Sequence, residues 1–323
     1  MGAPQSVADG PKGQARDLLL QPRPLPPQCC GASAIDDDHR RIIFERDVTG
    51  CVVTGLSGYN FVMPFTLSHG AAALPFRRMR LVFSAVLVGT LAPDFEYFLR
   101  LSPGNTDGHT VPGIFLFTVP AALIVLWIFH AVLKRPVVRI LPEGVQRRLA
   151  NQLQEFRFPG AARFGLIIVS ILLGIATHVV WDAFTHSETW PYHHWAILRE
   201  LVSLPIAGDR PFCNVLQHVS SLLGIAILGV WVARWYRTSV PTENALRSPV
   251  SPQHKIAIWL ALLAVALSGA TVRVAVRRGI SLDHLLSKWV AGTFVVTFIA
   301  LLWWELVVYA FCFQRSKLPL PRG

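Results

Sequence analysis

The sequence predicts an all-α fold, a polytopic transmembrane helix bundle with about five full crossings and one or two short N-terminal membrane helices. Composition points there first: of 323 residues, 52% are hydrophobic and 15% charged, whereas soluble domains carry about 25% charged residues. The mean hydropathy is +0.45. Patterning points the same way, because the apolar residues fall in long uncharged runs of the length a helix needs to cross a bilayer. The basic residues gather between those runs, so the net charge of +11 reads first as membrane topology, with Lys and Arg retained on the cytoplasmic side. No groove-reading motif or interleaved basic and aromatic patch accompanies the charge, and nucleic acid is not an expected partner. Cys29, Cys30, Cys51, Cys213 and Cys312 show no C-x-x-C spacing and imply neither a disulfide framework nor a cysteine-zinc site.

Residues 1–62 differ from all that follows. They are rich in Pro, Gly and charge, with the breaker run Pro22-Arg23-Pro24-Leu25-Pro26-Pro27 and the acidic run Asp36-Asp37-Asp38, which is the composition of a disordered N-terminal extension. Organised sequence begins at Met63, a candidate biological start, and residues 63–323 form one multi-pass membrane domain. Met63 to Pro75 is apolar but short, the length of a re-entrant or interfacial helix. It carries His69 among small residues, with Ser68 or Thr66 as its cap.

The apolar run from Leu81 to Ala92 ends at Pro93-Asp94-Phe95-Glu96-Tyr97. Carboxylates at the far end of a membrane helix are costly unless they meet water, a cation or a metal; Arg100 also stands one turn from Glu96. A polar turn leads to His109, and Val111 to Leu133 is long enough to span. Residues 134–163 hold Lys134, Arg135, Arg139, Arg147, Arg148, Arg157 and Arg163 against Glu143 and Glu155, the clearest cytoplasmic loop in the chain. The helix from Phe164 therefore runs outward and emerges at His186. Trp190, Tyr192, His193, His194 and Trp195 suggest an interfacial amphipathic segment. Leu216-Gln217-His218-Val219-Ser220-Ser221 then opens a crossing that runs to about Trp235, followed by runs from Ile256 to Val272 and from Trp289 to Phe313. Glu305 lies inside the last run and requires a partner or a watery cavity. Arg277, Arg278 and Lys288 fall on the external side of this topology, against the charge rule.

The most informative stretch is Thr177 to His186. His178 and Asp182 stand one helical turn apart on one face, and His186 follows a turn later. Neutral imidazole and ionised carboxylate are both ligands of a zinc-type divalent metal, and a helix presents two such ligands well at i and i+4. Alone, a His-Asp pair at a helix end serves equally as a hydrogen-bonded cap. The drawn topology, however, brings Asp94, Glu96, His109, His178, Asp182, His186 and His218 to the same end of the helices. His69 joins them if the first short helix dips back into the bundle.

Met63-Pro64-Phe65-Thr66-Leu67-Ser68-His69, Leu91-Ala92-Pro93-Asp94-Phe95-Glu96-Tyr97-Phe98, His109-Thr110-Val111-Pro112-Gly113, His178-x-x-Trp181-Asp182-x-Phe184-Thr185-His186 and Gln217-His218-x-Ser220-Ser221 resemble, in that order, the signature of a bacterial membrane family known as domain of unknown function 4184. The likeness runs from Met63 to roughly Phe313. A more distant likeness is to membrane-bound predicted metal-dependent hydrolases, whose pattern His69, Asp94, His109, His178 and Asp182 would match. Glu96 stands where that pattern has a second Asp, and the third motif has a single His. The likeness implies a divalent metal, Zn2+ as the candidate, bound on the external face of a multi-pass protein of the cell (inner or plasma) membrane. Its ligands would be His69, Asp94, His109, His178 and Asp182, acidifying a water to attack a phosphoester or lipid-related substrate. Glu96 or Asp94 would accept the proton, and His186 and His218 would orient ligands or stabilise developing charge. The alternatives are a non-enzymatic carrier or scaffold with a structural His/Asp cluster, or an envelope-assembly partner using the segment from Trp190 to Trp195. Ion transport is disfavoured because most crossings lack charged residues at their centres.

Overall fold

The computed structural model describes residues 33–35, 41–47, 50–57, 66–102, 107–153, 156, 160–187, 189–205, 208–242, 250–278 and 288–315. The chain divides into two units, Met1–Asn60 and Phe61–Gly323. In the first, β1 (Ser33–Ile35), β2 (Arg41–Asp47) and β3 (Gly50–Ser57) form an antiparallel sheet in the order β1-β2-β3, with the register slipping between Ile42 and Phe44. The remainder of the expected N-terminal extension lies outside the described residues, as do Met63 and the Pro22 to Pro27 run.

The second unit is a helix bundle. It opens with a 3-10 stretch, Thr66–Arg78, whose Gly and Ala residues suit a tight winding against its neighbours. α1 (Phe83–Gly89) and α2 (Phe95–Arg100) are short. They are joined by a single 3-10 turn, Ala92–Asp94, with Pro93 near its N-terminus. α3 (Val111–Ile140) is the first helix long enough to span and contains two π-helical stretches, Ile114–Thr118 and Ile128–Leu133. α4 (Glu143–Leu149) follows in the basic connection. α5 (Ala161–Thr185) is a spanning helix, and α6 (Trp190–His194) is a single short turn. β4 (Leu201–Leu204) and β5 (Gly208–Pro211) then make a small hairpin. The expected interfacial amphipathic segment is thus divided into this short helix, a 3-10 turn at Ala196–Arg199 and the hairpin. α7 (Phe212–Thr238), α8 (Pro252–Arg278) and α9 (Lys288–Arg315) complete the bundle.

Five helices among the described residues are long and apolar enough to cross a membrane: those covering Val111–Ile140, Ala161–His194, Phe212–Thr238, Pro252–Val276 and Gly292–Phe313. Their outward faces carry large apolar side chains such as Leu116, Leu222, Val230 and Val276, each more than two-thirds exposed. A surface this apolar suits hydrocarbon rather than water. The protein is therefore an α-helical membrane protein, as its sequence predicts.

The core sits where α1, α3 and α5 meet. Ala85, Ala92 and Ala122 let Ile167, Ile171 and Ile175 of α5 interdigitate with Val119 and Leu126 of α3, a small-against-large fit that brings helices close. α1 runs along α5, and the 3-10 stretch packs against α7. Gly89 and Gly174 meet at the α1–α5 crossing, with Gly89 against the backbone of Ile171 and Gly174 against that of Val86 and Thr90. That contact sets the height at which Thr90 faces the last turns of α5.

Candidate metal centre

His178 and Asp182 lie on the buried face of α5, continuing the line of Ile171, Gly174 and Ile175. The close approach at Gly174 brings the carbonyl of Thr90 to 2.8 Å from His178 Nδ1. A carbonyl only accepts, so Nδ1 carries a proton, and Nε2 is turned inward. Nε2 lies 3.0 Å from Asp182 Oδ2.

Asp94 arrives from the turn between α1 and α2. Pro93 shapes that turn, and the Thr66 hydroxyl donates to Asp94 Oδ2 at 2.7 Å, leaving Oδ1 facing the imidazoles. His109 comes from the turn before α3. Gly108 lets this turn rest on the Pro93 carbonyl, where a Cβ would come within 2.6 Å of the oxygen. The Thr118 hydroxyl donates to the Gly108 carbonyl, and Thr110 caps α3 by accepting from the Gly113 amide.

Four donor atoms converge: Asp94 Oδ1, His109 Nε2, His178 Nε2 and one oxygen of Asp182, all within 4.8 Å of one another. His109 Nε2 is 3.2 Å from His178 Nε2, 3.4 Å from Asp182 Oδ2 and 3.7 Å from Asp94 Oδ1. His178 Nε2 is 3.6 Å from Asp94 Oδ1. A tetrahedral ion with ligands at about 2.0–2.1 Å requires donors about 3.3–3.4 Å apart along each edge. These spacings bracket that value. Two ionised carboxylates placed together would repel without a cation between them, and two imidazole nitrogens 3.2 Å apart beside them add two further ligand atoms.

His69 is fully buried. Its ring stacks on His178 with centroids 4.1 Å apart and meets the edge of Trp181 at 5.3 Å. Trp181 in turn donates to the Ser220 hydroxyl of α7 at 3.1 Å. Burial keeps the His69 imidazole neutral, with its pKa lowered to about 3, and burial pushes the Asp94 carboxyl upward against the pull of His178. Among the described residues, both nitrogens of His69 and Oδ1 of Asp182 are buried without a hydrogen-bond partner, although His69 Nε2 lies 3.4 Å from Asp182 Oδ1. His69 Nε2 and Asp182 Oδ1 thus bring two further buried polar atoms beside the four-donor group, and that donor set fits a divalent metal. Access is at the His109 side: that side chain is 27% exposed, while His178 is fully enclosed.

The expected ligands His69, Asp94, His109, His178 and Asp182 thus meet in one place, drawn from four separated segments. The other expected residues are placed differently. Glu96 forms an ion pair with Arg100 and accepts from the Asp107 amide at 3.0 Å; it ties down the turn that presents His109. His186 borders the cluster, with Nδ1 3.8 Å from Asp182 Oδ1 and 3.1 Å from the Asp182 carbonyl. His218 lies on the exposed side of α7, whereas Gln217 is buried and its amide nitrogen is 3.4 Å from His186 Nε2. Gln217 shares the buried face of α7 with Cys213, Ser221 and Gly224, a small and polar stripe at helical spacing that could have singled it out. Thr66 and the Thr90 carbonyl carried no such signal.

The comparisons with curated proteins and with solved structures found no match. Residues 63–311 match the family model described as Domain of unknown function (DUF4184), and the chain belongs to that family.

Proposed function

We propose that the protein is a metal-dependent hydrolase of the membrane, acting on a phosphoester or lipid-related substrate. The observation that supports its metal most is that, among Asp94 Oδ1, His109 Nε2, His178 Nε2 and Asp182 Oδ2, five of the six spacings run from 3.0 to 3.7 Å, near the edges a tetrahedral ion needs. A bound divalent ion, with Zn2+ the first candidate, supplies Lewis acidity and acidifies water at neutral pH.

The chain's own residues do the rest. Thr90 fixes the His178 tautomer and Thr66 orients Asp94, the outer contacts that hold ligands in place. Glu96 is set aside as the proton acceptor, because Arg100 and the Asp107 amide occupy its carboxylate. His186, whose Nδ1 lies against the Asp182 carbonyl and whose Nε2 faces the Gln217 amide nitrogen, stands beside the cluster and steadies the turn that carries Asp182. The site lies at the N-terminal end of α3, and Lys134, Arg135 and Arg139 lie toward the other end of this 30-residue helix. With that basic end cytoplasmic, the site faces the external side of the cell membrane.

A second reading has its own support. Four protein ligands complete a tetrahedral shell, as structural metal sites do, which suits a carrier or scaffold. Hydrolysis assays on phosphomonoesters and phosphodiesters, with detergent-purified protein before and after chelation, separate the two. The hydrolase reading expects turnover that chelation abolishes and Zn2+ restores; metal-loaded protein inert on the whole panel favours the scaffold.

A further inference from the structure

Asp182 faces two ways. Its Oδ2 joins His109 and His178 at 3.4 and 3.0 Å, completing the four-donor set with Asp94. Its Oδ1 points away from that set, toward His69 Nε2 at 3.4 Å and His186 Nδ1 at 3.8 Å. His69 is 0% exposed, and neither of its nitrogens, nor Asp182 Oδ1, has a hydrogen-bond partner among the described residues. The spacing of 3.4 Å between the two orphaned atoms again matches a tetrahedral edge of about 3.3–3.4 Å.

We infer a second divalent-cation site, formed by His69 Nε2 and Asp182 Oδ1 beside His186, so that Asp182 bridges a binuclear centre. His69 and His178 stack with centroids 4.1 Å apart and an interplanar angle of 28°. Each offers Nε2 to a different oxygen of one carboxylate, the kind of bridge that would hold two ions at the spacing, about 3.5–4 Å, of two-metal hydrolytic centres. The division of labour follows from the ligand count. The first ion has four protein donors and a full shell; the second has few and keeps open positions. A phosphoester, whose non-bridging oxygens can enter the open positions of the second ion beside the charge of the first, is the substrate class that such a pair holds.

This inference rests on the metal reading given above, and metal stoichiometry distinguishes the two. Tag-free protein in detergent is equilibrated with Zn2+, freed of excess by gel filtration and analysed for zinc per chain. Mn2+-loaded protein is examined in parallel by electron paramagnetic resonance. Wild type is expected to hold two Zn2+ and to show an exchange-coupled Mn2+ pair. His69→Ala, with His69→Asn as the milder replacement should the first not fold, is expected to hold one Zn2+ and show an uncoupled Mn2+ signal. A His193→Ala, His194→Ala variant is expected to keep two, since those side chains lie outside the cluster. One Zn2+ in wild type, or no loss on replacing His69, or loss on replacing His193 and His194, overturns the second site and leaves the first intact. No bound metal in wild type overturns both.

Discussion

Gly89 and Gly174 share one crossing: a Cβ on Gly89 would collide with the Ile171 carbonyl, and one on Gly174 with the Val86 carbonyl. The next residue after Gly89 is Thr90, which receives the His178 hydrogen bond, and His178 stands one turn beyond Gly174. Packing of two small residues thus sets ligand geometry several ångströms away. Gly174→Val is expected to cost about 1–3 kcal/mol, the usual range for overpacking, and to weaken metal retention as well. Thermal unfolding in detergent, with metal content measured on the same samples, tests both effects. A variant that unfolds like wild type and keeps its metal would show that this crossing does not position His178.

Thr66 touches the site through one hydroxyl, donated to Asp94 Oδ2 at 2.7 Å. Thr66→Val preserves shape and removes the hydrogen bond. Because outer contacts of this kind tune affinity by about 10–100-fold, Zn2+ affinity in competition with a chromophoric chelator should fall within that range while the fold is kept. Unchanged affinity would mean that Asp94 is held by something other than Thr66.

Neighbouring residues on α7 should behave oppositely. Gln217 is buried against His186, and His218 is exposed. Gln217→Leu is expected to reduce hydrolysis at least tenfold, with His218→Ala within twofold of wild type, in the same phosphoester assay. The reverse ranking would restore to His218 the role its sequence position suggests.

Glu305 lies in the middle of α9, and both its carboxyl oxygens are buried without a hydrogen-bond partner among the described residues. An unsatisfied buried polar group costs about 1–3 kcal/mol, so Glu305→Leu should raise the unfolding temperature in detergent. A fall instead would reveal a favourable interaction made by this carboxyl in the folded protein.

Much of the fold was legible because membrane burial writes itself into composition. Val111–Ile140 extends the expected run beyond Leu133 at its C-terminal end, and Phe212–Thr238 extends the expected crossing at both ends, where polar residues remain helical beyond the hydrocarbon. The site was legible wherever a side chain is itself a ligand, as with His178 and Asp182 at helical spacing. It was illegible wherever position comes from a backbone group or a distant partner. Thr90 acts through its carbonyl, and no local pattern joins Thr66 to Asp94 across 28 residues. His218 attracted attention as an imidazole, yet helical phase buries Gln217 one residue earlier. Glu96 looked like a spare base until the fold supplied Arg100 and the Asp107 amide.

The most direct measurement is the metal content of purified wild-type protein beside a His178→Ala, Asp182→Ala variant, each shown by thermal unfolding to be folded. If Asp94, His109, His178 and Asp182 hold a divalent ion, wild type retains it through gel filtration and the variant does not. Equal metal in the two proteins, or none in either, would contradict the metal centre on which the rest depends.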